Sequence, residues 1–423
     1  MDDNLNPLKK YNFWDGNVPE LGYGRTMYTK KVSDYIGNKL IKVLVGQRRV
    51  GKSYILRQLA NQLIESGVNP SNILYLNKEF IDFDFVNNYH DLESLLHLYL
   101  ENNKPSGKKY LFIDEIQYIK GWERFVNSHA QDFIDGYEIF ISGSNSKMLS
   151  GELASLLSGR YIAFEIFPFS YEEFLGITGQ DVAKESYLRY LGGGALPELF
   201  VLPNDDTKRH YVSAIKDTVL LRDIIQRYAI KDAKLLDDIF TYLVNNASNL
   251  ISINNVVNYF KSNNRKTTYD TISNYIGYIE DTYLIHTAAR YNIKDKDIVS
   301  GNAKYYINDL SFKNYLYPGF GYGIGYQLEN LVFLELRRAG FDVYIGTFGN
   351  KEVDFVAKRH DRVVYVQSTY SLADEQTARR EYAPLEAITD HYEKYVVSLD
   401  DFTLPSNRGI RHVQAWNLSR VLQ

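Results

Sequence analysis

LIKVLVGQRRVGKS, residues Leu40–Ser53, changes character three times in fourteen residues. Leu40–Val45 suits a buried strand, the middle is framed by glycines, and the end opens a helix that continues through Tyr54–Gln62. Gly46, Gln47, Arg48, Arg49, Val50, Gly51, Lys52 and Ser53 fit the pattern G-x-x-x-x-G-K-[ST]. Glycines at those two places let the backbone curl until successive N–H groups point inward at a polyphosphate, at the positive end of a helix. Lys52 then reaches the β- and γ-phosphates of ATP, and the Ser53 hydroxyl binds Mg²⁺.

Four further strand-like runs follow, Ile73–Asn77, Tyr110–Ile113, Tyr137–Ser142 and Tyr161–Ile166, separated by helical or loop segments. Alternation of this kind predicts a parallel sheet covered on both faces. YLFIDEIQYI (Tyr110–Ile119) ends its apolar run in Asp114 and Glu115, which places two carboxylates at the carboxyl edge of the sheet, where ligands of open α/β sheets bind. Asp114 is expected in the Mg²⁺ shell opposite Ser53, and Glu115 is expected to orient and deprotonate the attacking water. The run Ile73–Asn77, lying between the loop and the DE strand, suits the additional-strand branch of such NTPases. In ISGSNSKML, Ser144 and Asn145 stand where a polar side chain touches the γ-phosphate or the water, unless they form a plain strand-end turn. Arg160, in LLSGRYIAFEI, is either a transition-state arginine, often one serving a neighbouring subunit, or an ordinary surface residue. Upstream, a helix is expected over Thr29–Ile36 with Gly37 as its stop. Arg25 and Tyr28 either flank an adenine ring or are exposed packing residues.

Phe169–Asp232 reads as helical, broken at LGGGALPELF, where Gly192–Gly194 and Pro197 stop a helix. A long helix is expected around Asp206–Tyr228, and Arg222 on it faces either phosphates or solvent. Lys234–Asn246, Ile253–Ser262 and Tyr269–Thr282 are three expected helices, with Ser252 and Thr268 as N-caps. Two strands, Leu284–Tyr291 and Lys304–Asn308, complete a winged-helix pattern. Its third helix offers Thr268, Asp270, Ser273 and Asn274 to DNA, with Arg265 and Lys266 ahead of it and Asp270 and Glu280 opposing. PGFGYGIG (Pro318–Gly325) reads as a linker. Beyond it come a helix (Tyr326–Ala339), strands Val343–Phe348, Val353–Ala357 and Val363–Gln367, a helix (Arg379–Ile388) and a final strand (Tyr395–Leu399). The expected domains are therefore 1–168 (ATPase core), 169–233 (helical lid), 234–317 (winged helix) and 318–423.

The chain has 423 residues, too many for one ordinary domain, with 45% hydrophobic and 24% charged residues, as a soluble globular protein has. It has no cysteine, hence no disulfide framework or thiolate metal site, which fits a cytoplasmic location. No stretch is apolar enough to span a bilayer, and MDDNLNPLKKYNFWDG lacks a secretion core. A net charge of −4 leaves nucleic-acid binding to a local patch.

Taken together, GQRRVGKS, FIDEIQ, ISGSNSKMLS, LLSGRY before FPFSYEEFL, and GGGALPE resemble the prokaryotic AAA-type ATPases related to the archaeal ATPase and STAND groups. Those proteins carry a C-terminal domain of unknown function, to which ENLVFLELRRAG…GNKEVDFV is similar. That domain in turn resembles the PD-(D/E)XK nuclease fold. The resemblance implies a helix glutamate, Glu329, and a strand aspartate, Asp354, that hold Mg²⁺ beside an E-x-K strand. Here Gln367 replaces the carboxylate and Thr369 the lysine, so a degenerate nuclease site is expected. The function so implied is Mg²⁺-dependent ATP binding and hydrolysis that moves the winged-helix and nuclease-like domains. The alternatives are a nucleotide-gated DNA- or protein-binding module with negligible turnover, and an ATP-regulated nuclease. A homo-oligomer is the expected assembly if Arg160 serves a neighbour.

Overall fold

Val45 ends strand β1 (Ile41–Val45) and delivers the chain into the glycine-framed loop, and Lys52–Glu65 is the helix that follows. The computed structural model describes residues 5–146, 157, 159–319 and 323–422, which divide into two compact units, Met1–Ile166 and Phe167–Gln423. Lys147–Ser150 of the ISGSNSKMLS turn and Phe320–Tyr322 of the expected linker lie outside the described residues.

In the first unit, β1 is joined by β2 (Ile73–Asn77), β3 (Lys109–Asp114), β4 (Tyr137–Gly143) and β5 (Tyr161–Glu165) in the order β2-β3-β4-β1-β5. All four pairings are parallel. The strand interposed between β1 and β3 is thus β4, which carries Ser142 and Ser144, whereas β2 lies at the edge beyond β3. β1, β2 and β4 are buried along their whole length, as strands covered on both faces must be. The burial includes Lys42, which is fully buried and hydrogen-bonded to Glu138 on β4 and, at 3.1 Å, to Asn38 Oδ1. Burial, with the Lys108 ammonium on the same carboxylate, pushes Lys42 down to about 7. The expected helix Thr29–Ile36 is displaced to Thr26–Ser33.

The second unit is built on an eight-stranded mixed sheet in the order β13-β12-β11-β10-β9-β7-β8-β6. Its strands are β6 (Leu250–Ile251), β7 (Ile285–Asn292), β8 (Asp297–Ile307), β9 (Asp342–Phe348), β10 (Lys351–Arg359), β11 (Arg362–Ser368), β12 (Glu393–Ser398) and β13 (Ile410–Gln414). β13 follows the strand expected to be the last. Helices Ala233–Asn245, Ile253–Ser262 and Tyr269–Glu280 precede the β7–β8 hairpin, with Ser252 and Thr268 capping the second and third.

This sheet corrects the expected boundary at residues 317 and 318. β7 pairs in parallel with β9, Arg290 to Ile345 through Asn292 to Thr347. Tyr291 and Ile293 share a core with Val353, Val356, Tyr365, Leu385 and Val396. The hairpin and the carboxyl-terminal strands therefore bury their apolar faces together. A separate wing would leave those faces in water.

GGGALPE also has a structural role inside this unit. The helix Lys184–Gly193 stops there, and Gly194 turns the chain with φ +73. Ala195 N donates to Asp309 Oδ2 at 2.8 Å, while Asn314 Nδ2 donates to the carbonyls of Leu191 and Gly192. A Cβ on Gly194 would stand 2.5 Å from Ser311 Cβ and 2.6 Å from Asp309 Oδ1, whereas one on Gly193 meets nothing within 4 Å. Gly194→Ala should therefore cost about 2–4 kcal/mol from left-handed strain and overpacking together. Gly193→Ala, inside a helix, should be neutral or stabilising by about 0.5–1 kcal/mol. Urea unfolding of both variants checks the contrast.

Candidate functional site

The carboxyl edge of the parallel sheet gathers most of the residues singled out from the sequence. Gly46 leaves β1 at φ +146, and a Cβ there would lie 2.3 Å from the Ile166 carbonyl, so the close approach excludes any side chain. Lys52 opens the helix and is buried, its ammonium donating to the carbonyls of Gly46 and Gln47 at 3.0 Å each and lying 3.9 Å from Glu115 Oε1. The loop is thus already wound around the lysine head. Burial lowers the Lys52 pKa, with Glu115 and Asp114 opposing. Burial raises that of Glu115, with Lys52 opposing. Val50 is fully buried, Arg49 is exposed with φ +67, and Ser53 is half-buried at the first turn of the helix.

Asp114, at the end of β3, has no exposed surface. Its Oδ2 accepts from the Tyr75 hydroxyl at 3.1 Å and from Asn77 Nδ2 at 2.9 Å, and its Oδ1 from the Ser142 hydroxyl. β2, β3 and β4 each contribute to this group. Glu115 follows in the left-handed region, φ 56 and ψ 43. Its N–H donates to Ser142 Oγ at 3.1 Å, and its Oε2 accepts from Gln117 Nε2 and, at 3.4 Å, from Ser144 Oγ. Asn145 is buried just beyond β4. Ser53 and Asp114 are hard oxygen donors, the kind that suits Mg²⁺, which keeps few protein ligands and takes others from substrate phosphates. Among the described residues no group of three His, Cys, Asp or Glu side chains could hold a metal ion, so no all-protein metal cage is formed by them.

Arg160 does not join this edge. Its carbonyl accepts from Ile41 N at 2.9 Å, which sets it beside the start of β1, and its side chain is exposed. β1 and β5 run parallel, Ile41 beside Tyr161 through Val45 beside Glu165. At about 3.3 Å per residue, Arg160 is roughly 16 Å from the loop of its own chain along the strand direction. In its own site Arg160 has no part.

Sequence reasoning singled out Arg25 but not its part in the loop. Neither it nor Tyr28 is exposed, at 1% and 3%. The Arg25 guanidinium lies 4.7 Å from the Tyr28 ring centroid and donates to the Val50 carbonyl at 2.7 Å, fastening the phosphate loop from behind. Gln58, on the loop helix, accepts from Arg25 N and donates to the carbonyls of Leu21 and Tyr23. A lone arginine fifteen residues before the strand carries no spacing signal.

In the second unit, Glu329, Asp354 and Gln367 do come together, and Lys304, Tyr306, Glu352 and Ser368 join them. Gln367 Oε1 accepts from Asp354 N at 3.2 Å, and Asp354 Oδ2 from Ser368 N at 2.8 Å. Glu329 Oε1 accepts from the Tyr306 hydroxyl at 2.8 Å and from Lys304 at 3.0 Å, and Lys304 also pairs with Glu352 at 2.9 Å. Glu329 is thus partnered by a lysine from β8. Burial, reinforced by Asp354, lifts Glu329 to about 8. The carboxylates of Glu329, Asp354 and Glu352 raise Lys304 against the effect of its burial. Elsewhere in this unit Ser398, His412 and Asp400 resemble a nucleophilic trio in composition alone. Ser398 donates to Asp400, and His412 Nδ1 accepts from Leu404 N, so Nε2 carries the proton and cannot act as base toward the serine. In the basic patch before the third helix, Arg265 pairs with both Asp232 and Asp238, while Lys266 is exposed. Arg222 is exposed in the π-helical turn Val219–Ile225.

Arg25→Ala should loosen the phosphate loop at Val50. Loss of a charged donor from a buried carbonyl costs about 1.5–3 kcal/mol. We expect urea denaturation to show that loss, and a fluorescent ATP analogue to bind more weakly. Arg25→Lys should recover part of both.

An AAA domain matches residues 38–175 and a domain of unknown function matches residues 184–322, so the carboxyl-terminal segment named by the resemblance lies outside both matches. A Haemophilus influenzae protein described as uncharacterized is 33% identical over 380 residues, 88% of this chain and 92% of that protein. The uncharacterized protein MJ1544 of Methanocaldococcus jannaschii is 33% identical over 371 residues, 84% and 80% of the two. Among solved structures, the Aeropyrum pernix ORC1 protein in complex with DNA overlaps at a TM-score of 0.35 with 12% identity, covering 72% of this chain and 94% of that one. The Thermotoga maritima RuvB Holliday junction branch migration motor overlaps at 0.33 with 16% identity, covering 62% and 89%. Overlaps that low carry no argument. The identities and coverage do: the chain belongs to the family of the Haemophilus and Methanocaldococcus proteins, and its amino-terminal unit is an AAA-type P-loop ATPase domain.

Proposed function

We propose that the protein binds ATP with Mg²⁺ on Gly46–Ser53 and hydrolyses it, and that turnover drives conformational change in residues 169–233, 234–317 and 318–423. The observation that carries this reading is the buried pairing of Lys52 with Glu115, 3.9 Å apart at the carboxyl edge. Lys52 exchanges the carbonyls of Gly46 and Gln47 for phosphate oxygens, while the loop N–H groups bind the remaining ones. Ser53 and Asp114 would hold Mg²⁺, which would neutralise phosphate charge. Glu115 takes a proton from the water whose oxygen bonds to the γ-phosphorus. The bond to the β,γ-bridging oxygen breaks, and ADP leaves with its electron pair. Asn145 and Ser144 orient the water and the Glu115 carboxylate. Arg160, exposed at the far edge, is a transition-state arginine for a neighbouring copy in a homo-oligomer.

Lys52→Ala should abolish binding of a fluorescent ATP analogue. Glu115→Gln should bind it and lose about 10²–10⁴ in single-turnover rate, the usual worth of a general base. Undiminished phosphate release by Glu115→Gln refutes the assignment. Binding without turnover in the wild-type protein favours a nucleotide-gated binding module instead.

For the segment 234–317, the pairing of Arg265 with Asp232 and Asp238 thins an already small basic patch, which supports a protein partner over DNA. For 318–423, the reading is a degenerate nuclease-like site. Lys304 restores a positive charge that Thr369 cannot supply, but its ammonium is already divided between Glu329 and Glu352. Gln367 puts a neutral amide where the E-x-K carboxylate would stand, with Glu381 accepting from its Nε2 at 2.9 Å, and an amide in that place weakens Mg²⁺ binding. Supercoiled, linear and single-stranded DNA and RNA should survive incubation with the full chain in Mg²⁺ or Mn²⁺. Cleavage lost in Asp354→Ala but kept in Lys52→Ala would make the protein a metal-dependent nuclease.

A further inference from the structure

Arg48 stands between the two glycines of the phosphate loop, yet its side chain does not extend into solvent. One guanidinium nitrogen donates to Glu79 Oε1 at 2.7 Å and the other to the Tyr118 hydroxyl, and only 11% of the side chain is exposed. Glu79 follows β2 and Tyr118 follows β3, so both partners project from the carboxyl edge that holds Asp114 and Glu115. The guanidinium is thus strung across the ends of β2 and β3, beside the loop that leaves β1. It is close enough to Lys52 and Glu115 that its charge lowers the pKa of each.

The hold on Arg48 is itself braced. Glu79 N donates to Asn77 Oδ1 at 2.8 Å, and Asn77 Nδ2 donates to Asp114 Oδ2 at 2.9 Å. Arg48, Glu79, Asn77 and Asp114 form one chain of hydrogen bonds from the loop to the buried carboxylate. Stability is a poor account of it, because Glu79 is one-third exposed and a solvent-screened pair contributes little. A planar, permanently charged fork at this place suits a group that gains negative charge during reaction.

We propose that Arg48 is a catalytic arginine acting in its own chain's site, where it meets the terminal phosphoryl group of the nucleotide, with Glu79 and Tyr118 as positioning residues that keep the guanidinium over the carboxyl edge. The assignment rests on the ATP-hydrolysing reading above. It separates the two arginines by place, Arg48 at the loop and Arg160 at the opposite edge of the same sheet.

The test compares wild type, Arg48→Ala, Arg48→Lys and Glu79→Gln by analogue binding and single-turnover hydrolysis. Arg48→Ala should keep affinity within about three-fold and lose about 10²–10³ in rate, as expected for an interaction made in the transition state. Arg48→Lys should recover only part of that rate. Glu79→Gln should lose less than Arg48→Ala, and added guanidinium ion should partly rescue Arg48→Ala but not Lys52→Ala. Mixing Arg48→Ala with Lys52→Ala should restore nothing, because a residue acting in its own site cannot be lent. An unchanged thermal midpoint for Arg48→Ala shows that the fold is retained. Wild-type turnover matched by Arg48→Ala overturns the assignment alone. Rescue on mixing overturns it in favour of a neighbour's site, and equal losses of affinity and rate reduce Arg48 to a ground-state ligand. A wild type that binds ATP without turning it over refutes the underlying reading instead.

Discussion

A carboxylate with no access to water must be matched by hydrogen-bond donors. Asp114 is such a group, and its three donors come from Tyr75 and Asn77 on β2 and Ser142 on β4. Each donor reaches it only if the strands are adjacent, parallel and in the observed register. The same requirement places Ser142 so that its oxygen also receives the Glu115 N–H, which holds Glu115 in its left-handed turn. The geometry of this edge and the strand order both answer to one desolvation constraint.

At the amino edge of the same sheet a second buried charge plays a comparable part. Lys42 on β1 meets Glu138 on β4, which also receives Lys108 and the Gly37 N–H. Buried charges therefore tie β1 to β4 at one edge and β2, β3 and β4 at the other. The hydrophobic strands between them supply most of the driving force, but they would tolerate a slipped register less sharply than these polar groups do.

In the second unit Lys304 has the equivalent role. It reaches from the hairpin strand β8 to Glu329 on the helix Ile324–Arg338 and Glu352 on β10, joining segments that sequence reading assigns to different domains. A lysine placed among carboxylates lowers their mutual repulsion and so holds the cluster together. Asp309 works in a similar way on the GGGALPE turn, accepting from Ala195 N and Ser311 N.

The sequence by itself determined the phosphate loop, the DE strand and the alternation of strands and helices in the first unit, together with the caps Ser252 and Thr268. These are local signals: a glycine spacing, an apolar run ending in two carboxylates, a side chain that caps its own helix. Glu329, Asp354 and Gln367 were expected together from the order of the elements that carry them and from the resemblance, not from a spacing. Tertiary structure alone decided that β4, and not β2, is interposed, that Arg160 lies at the edge away from its own loop, and that the hairpin and carboxyl-terminal strands share one sheet. It alone placed Arg25 under Val50, Arg48 between Glu79 and Tyr118, and Lys304 at Glu329, 25 residues away in the chain. The physical reason is common to all of these. A buried charge is satisfied by whichever donor or acceptor the fold brings within about 3 Å, and sequence distance places no limit on which one that is.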